Sequence, residues 1–191
     1  LFSCRGVETA LARAGGADCL YLSGITLSLF DDAGRSRLVS LASSVKLKGG
    51  EVVFDPNYRV RGWSSPEEAR RAFAAIAPTV TMALPTFDDE AALYGDADPA
   101  ATIARWRRKG AREVAVKLGA RGALVQHGEG STLVRAVADP APRDTTGAGD
   151  SFNAAYLAAR RHGANPAEAA ASGNLLAAAV VRQPGAILPR T

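Results

Sequence analysis

The sequence Asp-Thr-Thr-Gly-Ala-Gly-Asp at residues 144–150 runs directly into an apolar, alanine-rich stretch at residues 151–159. The pattern predicts a glycine-rich loop followed by a helix, because glycine permits tight turns and alanine favours helices. The first amides of a helix have no partner within it, and the helix dipole adds partial positive charge, so this loop suits a phosphate group. Asp150 falls in the first turn, where it is either a helix-stabilising acid or a general base beside that anion.

Around this loop, helical patterns alternate with short apolar strands. Such alternation is typical of an α/β protein with a mostly parallel sheet and helices on both faces. Polar or glycine-containing segments leave several strand ends, where open α/β sheets bind ligands, so we expect the candidate residues to gather at one edge of the sheet. Strands are predicted at residues 19–22, 51–54, 79–83, 113–117 and 123–126, with residues 131–135 as an antiparallel addition.

The composition is that of an ordinary globular protein. The chain has 191 residues, 47% of them hydrophobic, which is enough for one domain over residues 1–191 with a substantial core. The net charge of +4 is mild, and the basic run at residues 105–109 is interpreted as a solvated helix end, because only Trp106 could stack on a base. No apolar run reaches membrane-spanning length and no signal peptide is evident. The default expectation is therefore a cytoplasmic protein with no nucleic-acid and no membrane partner.

Residues 144–157 resemble the C-terminal signature of the PfkB (ribokinase-like) carbohydrate kinases. The resemblance implies a ribokinase-like, three-layer α/β/α fold, in which Asp150 is the catalytic base. It also implies that the amides of Gly147, Ala148 and Gly149 form an anion hole for the transferring phosphoryl group. It covers nearly all of this chain but only the C-terminal two-thirds of such an enzyme. The family's N-terminal Gly-Gly motif and β-sheet lid are not recognisable here, so we expect either a truncated chain or an upstream segment that this sequence lacks.

The segment Asp-Pro-Asn-Tyr-Arg at residues 55–59, followed by Trp63, resembles part of the family members that phosphorylate 2-keto-3-deoxygluconate. This resemblance implies that Asp55, Asn57 and Arg59 lie near the acceptor sugar. Arg59 could hold a carboxylate or a phosphate with two hydrogen bonds, which is a chemical reason to expect an anion there. A solvated surface turn is the alternative interpretation.

Two more segments, residues 23–25 and residues 85–90, resemble the same family members. They favour 2-dehydro-3-deoxy-D-gluconate as the substrate, phosphorylated to its 6-phosphate, over a neutral sugar as in a fructokinase or ribokinase. Glu90 fits the glutamate of the family's Asn-x-x-Glu region, which helps to position Mg²⁺ through water. Phe87 stands where that region has Asn, and a surface helix glutamate is the alternative for Glu90.

The remaining site residues also come from the resemblance. Asn174 is implied to lie near the adenine, although Gly173 beside it could simply allow close helix packing. Asp144 and Thr146, with Gly185, resemble a site for a monovalent cation such as K⁺. The turn after the strand at residues 113–117 is implied to contact the nucleotide, with a ligand-free glycine hairpin as the alternative. The nucleotide-binding residues would be Lys117, Gly119, Arg121, Gly122, Gly147, Gly149 and Asn174.

Together these patterns predict an ATP-dependent sugar-acid kinase that uses Mg²⁺. Its partners would be ATP and a small sugar acid, and the family also allows a homo-oligomer. An inactive nucleotide-binding remnant or an interaction protein is the rival from another class, because the acceptor-binding N-terminal part is missing. A dinucleotide-dependent oxidoreductase is disfavoured, since Phe152 lies after Gly147-Ala148-Gly149 where a third glycine would be needed.

Overall fold

The computed structural model describes residues 6–137 and 142–186. Its contacts divide the chain into two compact units, Leu1–Val114 and Ala115–Thr191. Within the described residues, six strands form one sheet in which the strand order follows the chain. The prediction of an α/β protein with a mostly parallel sheet is confirmed, whereas the prediction of one domain over residues 1–191 stays a prediction.

In the first unit, parallel strands alternate with helices. Strand β1 pairs with β2, β2 with β3 and β3 with β4, with Leu20 opposite Val52 and Phe54 opposite Ala83. The strands are β1 (Cys19–Ser23), β2 (Glu51–Asp55), β3 (Met82–Ala83) and β4 (Glu113–Lys117), the last of which continues into the second unit. The helices are α1 (Val7–Ala14), α2 (Gly24–Ser28), α3 (Asp32–Leu47), α4 (Pro66–Ile76), α5 (Phe87–Tyr94) and α6 (Pro99–Arg108).

Local capping signals place several of these helices. The Ser65 hydroxyl accepts the amide of Glu68 at the start of α4, and Asp98 accepts the amide of Ala101 at the start of α6, as the sequence predicts. Helix α3 begins at Asp32, because the Asp31 side chain caps it by accepting the amide of Gly34 at 2.8 Å.

Strand β3 is shorter than the predicted strand over residues 79–83. The chain from Ala77 to Thr79 forms a 3-10 turn instead. The Thr81 side chain then takes over part of the ladder: its hydroxyl accepts the amide of Val52 at 3.0 Å and donates to the Val52 carbonyl at 3.1 Å. A side chain that bonds to backbone groups in this way competes with regular strand pairing.

Aromatic rings fill the core of the first unit. Phe54 of β2 meets the ring of Phe73 edge-on at 5.4 Å between centroids and lies 5.8 Å from Trp106. Trp63 packs edge-on against Phe73 at 5.5 Å. Each such pair adds about 0.5–1.5 kcal/mol beyond the buried area. These contacts join β2 to α4 and α6, and they join the chain that follows β2 to α4.

The second unit consists of a hairpin and two long helices. Strands β5 (Ala123–His127) and β6 (Gly130–Val134) pair antiparallel, as predicted. Helices α7 (Ala148–Arg161) and α8 (Pro166–Val180) pack against each other, and a Cβ on Gly173 would come within 2.6 Å of the Phe152 ring. Among the described residues, no helix is both long and apolar enough to cross a bilayer.

Candidate active site

The glycine-rich loop ends where α7 begins, and backbone amides in the first turn of α7 have no partner within the helix. Gly147 is the N-cap of α7 and has a φ of 75°, a left-handed conformation that favours glycine. The amide of Ala148 donates to the Thr145 carbonyl at 3.2 Å, so it is already engaged. The amides of Gly149 and Asp150 fall in the first turn, where no carbonyl within the helix can reach them. The Asp150 side chain is exposed beside them.

Asp144 holds this loop to the segment that follows α8. One carboxylate oxygen accepts the Thr146 amide at 2.8 Å and the other accepts the Gly185 amide at 2.9 Å. Hydrogen bonds from the Thr146 hydroxyl and from these amides lower the pKa of Asp144 to about 2. A Cβ on Gly147 would lie 2.6 Å from the Ala186 side chain, so the fit is close. The monovalent-cation role of Asp144 and Thr146 stays a prediction.

A buried lysine lies beside the same helix start. Lys117, the last residue of β4, is 7% exposed, and its ammonium donates to Asn153 of α7 at 3.1 Å. The ammonium nitrogen lies 3.7 Å from the position of a Cβ on Gly149. Its positive charge adds to that of the helix terminus, which strengthens the case for an anion here. Sequence reasoning missed Asn153, although a lone amide in an alanine-rich helix was a signal.

The other predicted nucleotide residues have structural tasks of their own. Gly122 has a φ of 99°, and a Cβ there would lie 2.1 Å from the Val134 carbonyl. The Asn174 side-chain amide donates to the carbonyls of Val134 and Arg135, each at 3.1 Å, and so joins α8 to the end of β6. Gly119 and Arg121 are exposed. Their contacts with a nucleotide, and that of Asn174, stay predictions.

In the first unit, the loops that leave β1 and β2 meet. A Cβ on Gly24 would lie 1.9 Å from the Pro56 carbonyl, so only glycine allows this approach. Asp55 is buried and accepts the amide of Asn57 at 3.1 Å, while Asn57 adopts a positive φ of 35°. These constraints fix the backbone that carries Arg59.

The Arg59 side chain is exposed but tethered. Its Nη1 donates to the Tyr58 carbonyl at 3.1 Å and lies 3.5 Å from a carboxylate oxygen of Asp89, in the first turn of α5. The side chain of Arg59 is 60% exposed and that of Asp89 is 21% exposed. Sequence reasoning missed Asp89, because nothing in the chain order shows that the first turn of α5 reaches this loop.

Arg35 supports the chain that follows this loop. Its guanidinium donates to the Leu27 carbonyl at 3.0 Å and to Glu68 at 2.7 Å, and it lies 5.0 Å from the centre of the Trp63 ring. Hydrogen bonds from Ser64 and Arg35 lower the pKa of Glu68 to about 2. The carboxylate of Glu68 thereby stays charged and keeps α3, α4 and Trp63 joined.

Glu90 lies in a buried polar cluster rather than on the surface. One of its oxygens accepts hydrogen bonds from the Arg105 guanidinium and, at 3.1 Å, from the indole of Trp106. Burial raises the pKa of Glu90, and the charge of Arg105 opposes that effect. Arg105 also contacts Asp96 at 2.7 Å and stacks over Tyr94 at 3.8 Å. The surface interpretation of Glu90, and the solvated interpretation of Arg105 and Trp106, are therefore wrong, because Arg105 and Trp106 pair with one oxygen of Glu90 in the interior.

The second oxygen of Glu90, Oε1, is the atom that tests the predicted magnesium role of this residue. Within the described residues, Oε1 is buried and accepts no hydrogen bond. A carboxylate oxygen in this state fits a water bound to Mg²⁺, since magnesium sites commonly keep several waters and use few protein carboxylates. The residues present are thus compatible with the predicted magnesium role of Glu90, which stays a prediction.

Residues 6–191 match the family described as pfkB family carbohydrate kinase. The chain belongs to this family. Over 176 residues it is 44% identical to the 2-dehydro-3-deoxygluconokinase of Escherichia coli (strain K12). The matched residues cover 91% of this chain and 57% of that relative. The chain therefore spans little more than half the length of this curated relative.

Solved structures of PfkB-type proteins have the same fold. A PfkB protein from Polaromonas sp. JS666 superposes with a TM-score of 0.80 at 28% identity, over 90% of this chain and 56% of that one. A putative ribokinase II from E. coli, solved in complex with ATP and Mg²⁺, gives a TM-score of 0.80 at 26% identity, over 92% of this chain and 56% of that one. These likenesses confirm the predicted ribokinase-like fold.

Proposed function

We propose that this protein is a carbohydrate kinase that transfers the γ-phosphoryl group of ATP to 2-dehydro-3-deoxy-D-gluconate and forms its 6-phosphate. The observation that carries the proposal is the start of α7, where the first-turn amides, the buried ammonium of Lys117 and the exposed carboxylate of Asp150 lie together. Amides and a cation suit the phosphoryl group, and a carboxylate suits the proton of the attacking hydroxyl.

In the proposed mechanism, the acceptor hydroxyl attacks the γ-phosphorus in line with the leaving ADP. Asp150 accepts the hydroxyl proton as the new P–O bond forms. The amides of Gly149 and Asp150, together with Lys117, stabilise charge on the phosphoryl oxygens. When bound with ATP, Mg²⁺ would neutralise charge on the β- and γ-phosphates. The role of Glu90 in holding one of its waters is proposed from the family resemblance alone.

The choice of a sugar acid has two supports. The E. coli relative is named for 2-dehydro-3-deoxygluconate. In addition, the exposed guanidinium of Arg59 is held on a fixed backbone and is chemically suited to a carboxylate. We assign Arg59 to the acceptor's carboxylate, with Asp55 and Asn57 as the residues that shape its loop.

A coupled ADP-release assay on the full-length protein tests the proposal. It uses ATP, Mg²⁺ and a panel of 2-dehydro-3-deoxygluconate, fructose, ribose and gluconate. We expect strong preference for the keto-deoxy acid. Turnover of a neutral sugar instead would keep the kinase activity and discard the substrate. Absence of turnover with every acceptor would favour an inactive nucleotide-binding protein.

The role of Asp150 has its own test. We expect Asp150→Asn to abolish phosphoryl transfer while ATP affinity, measured by calorimetry, stays within about a few-fold, because the base acts on the acceptor and not on the nucleotide. Asp88→Asn is a matched control, since Asp88 is also an exposed acid in the first turn of a helix. Retained turnover in Asp150→Asn would remove this residue from the base role.

A further inference from the structure

We propose that Asp89 is a positioning residue that gives Arg59 its preference for an acceptor with a carboxylate. The inference rests on the proposed sugar-acid kinase activity and adds a residue to it. Asp89 lies in the first turn of α5, and Arg59 lies in the loop after β2, and the two side chains form an ion pair with 3.5 Å between Oδ2 and Nη1.

The geometry of the guanidinium leaves one edge for a ligand. Across the part of the chain that the structure describes, both polar contacts of the Arg59 side chain, with Tyr58 and with Asp89, are made by Nη1. The Nε–Nη2 edge therefore faces neither of these groups. Two parallel hydrogen bonds from such an edge are the preferred geometry between a guanidinium and a carboxylate. The ion pair thus leaves the two parallel N–H donors of the Nε–Nη2 edge for the carboxylate of an acidic acceptor.

Asp89 is the fixed member of this pair. Its neighbour Glu90 is buried and bonded to Arg105 and Trp106, which anchors the first turn of α5 in the interior. The Asp89 side chain is also much less exposed than that of Arg59, at 21% against 60%. Without the contact to Asp89, the long, exposed side chain of Arg59 would keep most of its conformational freedom. Asp89 therefore sets the direction of Arg59. Through Asp89, the buried first turn of α5 orients the guanidinium that would bind the acceptor.

Two opposing effects decide the sign of the expected change. Asp89 fixes the arginine in advance, and an unfixed long side chain would weaken binding by about two- to ten-fold when the ligand has to order it. Asp89 also repels an acidic acceptor, but two carboxylates on opposite sides of one guanidinium in water-like dielectric change affinity by only about two-fold at physiological salt. Positioning is the larger effect, so removal of the Asp89 charge weakens the use of an acid.

The test compares Asp89→Asn with wild type in the ADP-release assay, with 2-dehydro-3-deoxygluconate and fructose as acceptors. We expect KM for the acid to rise by about three- to ten-fold and kcat to stay within about two-fold, because the lost contact acts on binding and not on chemistry. KM for fructose should not change. Asp89→Glu, which keeps the charge, should restore most of the affinity for the acid.

Asp88→Asn is the matched control, because it removes the same charge from the same first turn at an exposed side chain. It should leave KM for both acceptors unchanged. An unchanged or lowered KM for the acid in Asp89→Asn, while wild type turns over the acid and Arg59→Ala loses it, would overturn this inference alone. If wild type does not turn over the acid at all, the proposed substrate fails and this inference fails with it.

Discussion

The buried ammonium of Lys117 donates a hydrogen bond to Asn153, 3.1 Å away and inside the helix whose first turn carries Asp150. One contact thus joins the end of a β-strand to the helix that begins at the glycine-rich loop. It places a cation close to the amides of that loop. This arrangement carries the first of four predictions.

Lys117→Met should lower kcat by about 10²–10³-fold if Lys117 stabilises the phosphoryl group as proposed, because the cation is then lost from a water-poor position. The measurement is the steady-state ADP-release assay, with folding verified by circular dichroism. Lys46→Met is the control, since Lys46 bonds the Pro78 carbonyl on the surface of the other unit. A kcat within about two-fold of wild type would show that Lys117 only supports the fold.

Gly173→Ala should destabilise the protein by about 1–3 kcal/mol, because the new methyl group would lie 2.6 Å from the rigid Phe152 ring between two helices. Urea denaturation measures the effect. Gly130→Ala is the control, since a Cβ at Gly130 meets open space. If the two variants lose equal stability, close packing of α7 on α8 is not what Gly173 provides.

Arg105→Met should cost about 3–5 kcal/mol of unfolding free energy, because the Glu90 carboxylate would then be buried without its cation. Adding Glu90→Gln should recover part of the loss, since the neutral amide no longer needs a counter-charge. Chemical denaturation of the single and double variants checks this expectation. Arg108→Met, at an exposed position of the same helix, should change stability by less than about 0.5 kcal/mol. A double variant that is less stable than Arg105→Met would contradict the argument.

The Asp144 carboxyl should titrate with a pKa of about 2, measured from its carbon chemical shift by NMR. Because this value lies below that of an unfolded aspartate, the carboxylate favours the folded loop at every pH above about 4 and loses this contribution as the pH falls through the folded pKa. Thr146→Val should raise the pKa, since it removes the hydroxyl that bonds the carboxylate. Thr145→Val should not. Equal titration of Asp144 in both variants would assign its low pKa to the backbone amides alone.

Features that depend on near neighbours in the chain could be predicted from the sequence. The glycine-rich loop before α7, and the caps at Ser65, Asp98 and Asn165, follow from residues within a few positions of one another. The alternation of strands and helices, which predicted a mostly parallel sheet, is likewise visible in short stretches of sequence. These signals needed no knowledge of which elements touch.

Features that depend on distant pairs could not be predicted in this way. Arg105 and Glu90 lie on different helices, and charged side chains are seldom fully buried, so the sequence indicated a solvated position for Arg105 and gave no sign that it pairs with Glu90. The pairing of Arg59 with Asp89 and of Lys117 with Asn153 likewise requires the folded chain. The residues of the candidate site were thus easier to predict than the residues that hold them in place.

The bond from the Gly185 amide to Asp144 spans 41 residues and ties the glycine-rich loop to chain that follows α8. A contact of this separation costs loop-closure entropy, and it cannot form before Gly185, which follows α8, has been synthesised. During synthesis, the ribosome must therefore release both α7 and α8 before the loop can take its final shape. A nascent chain that ends within α8 has every glycine of the glycine-rich loop and still lacks the Gly185 amide that bonds Asp144.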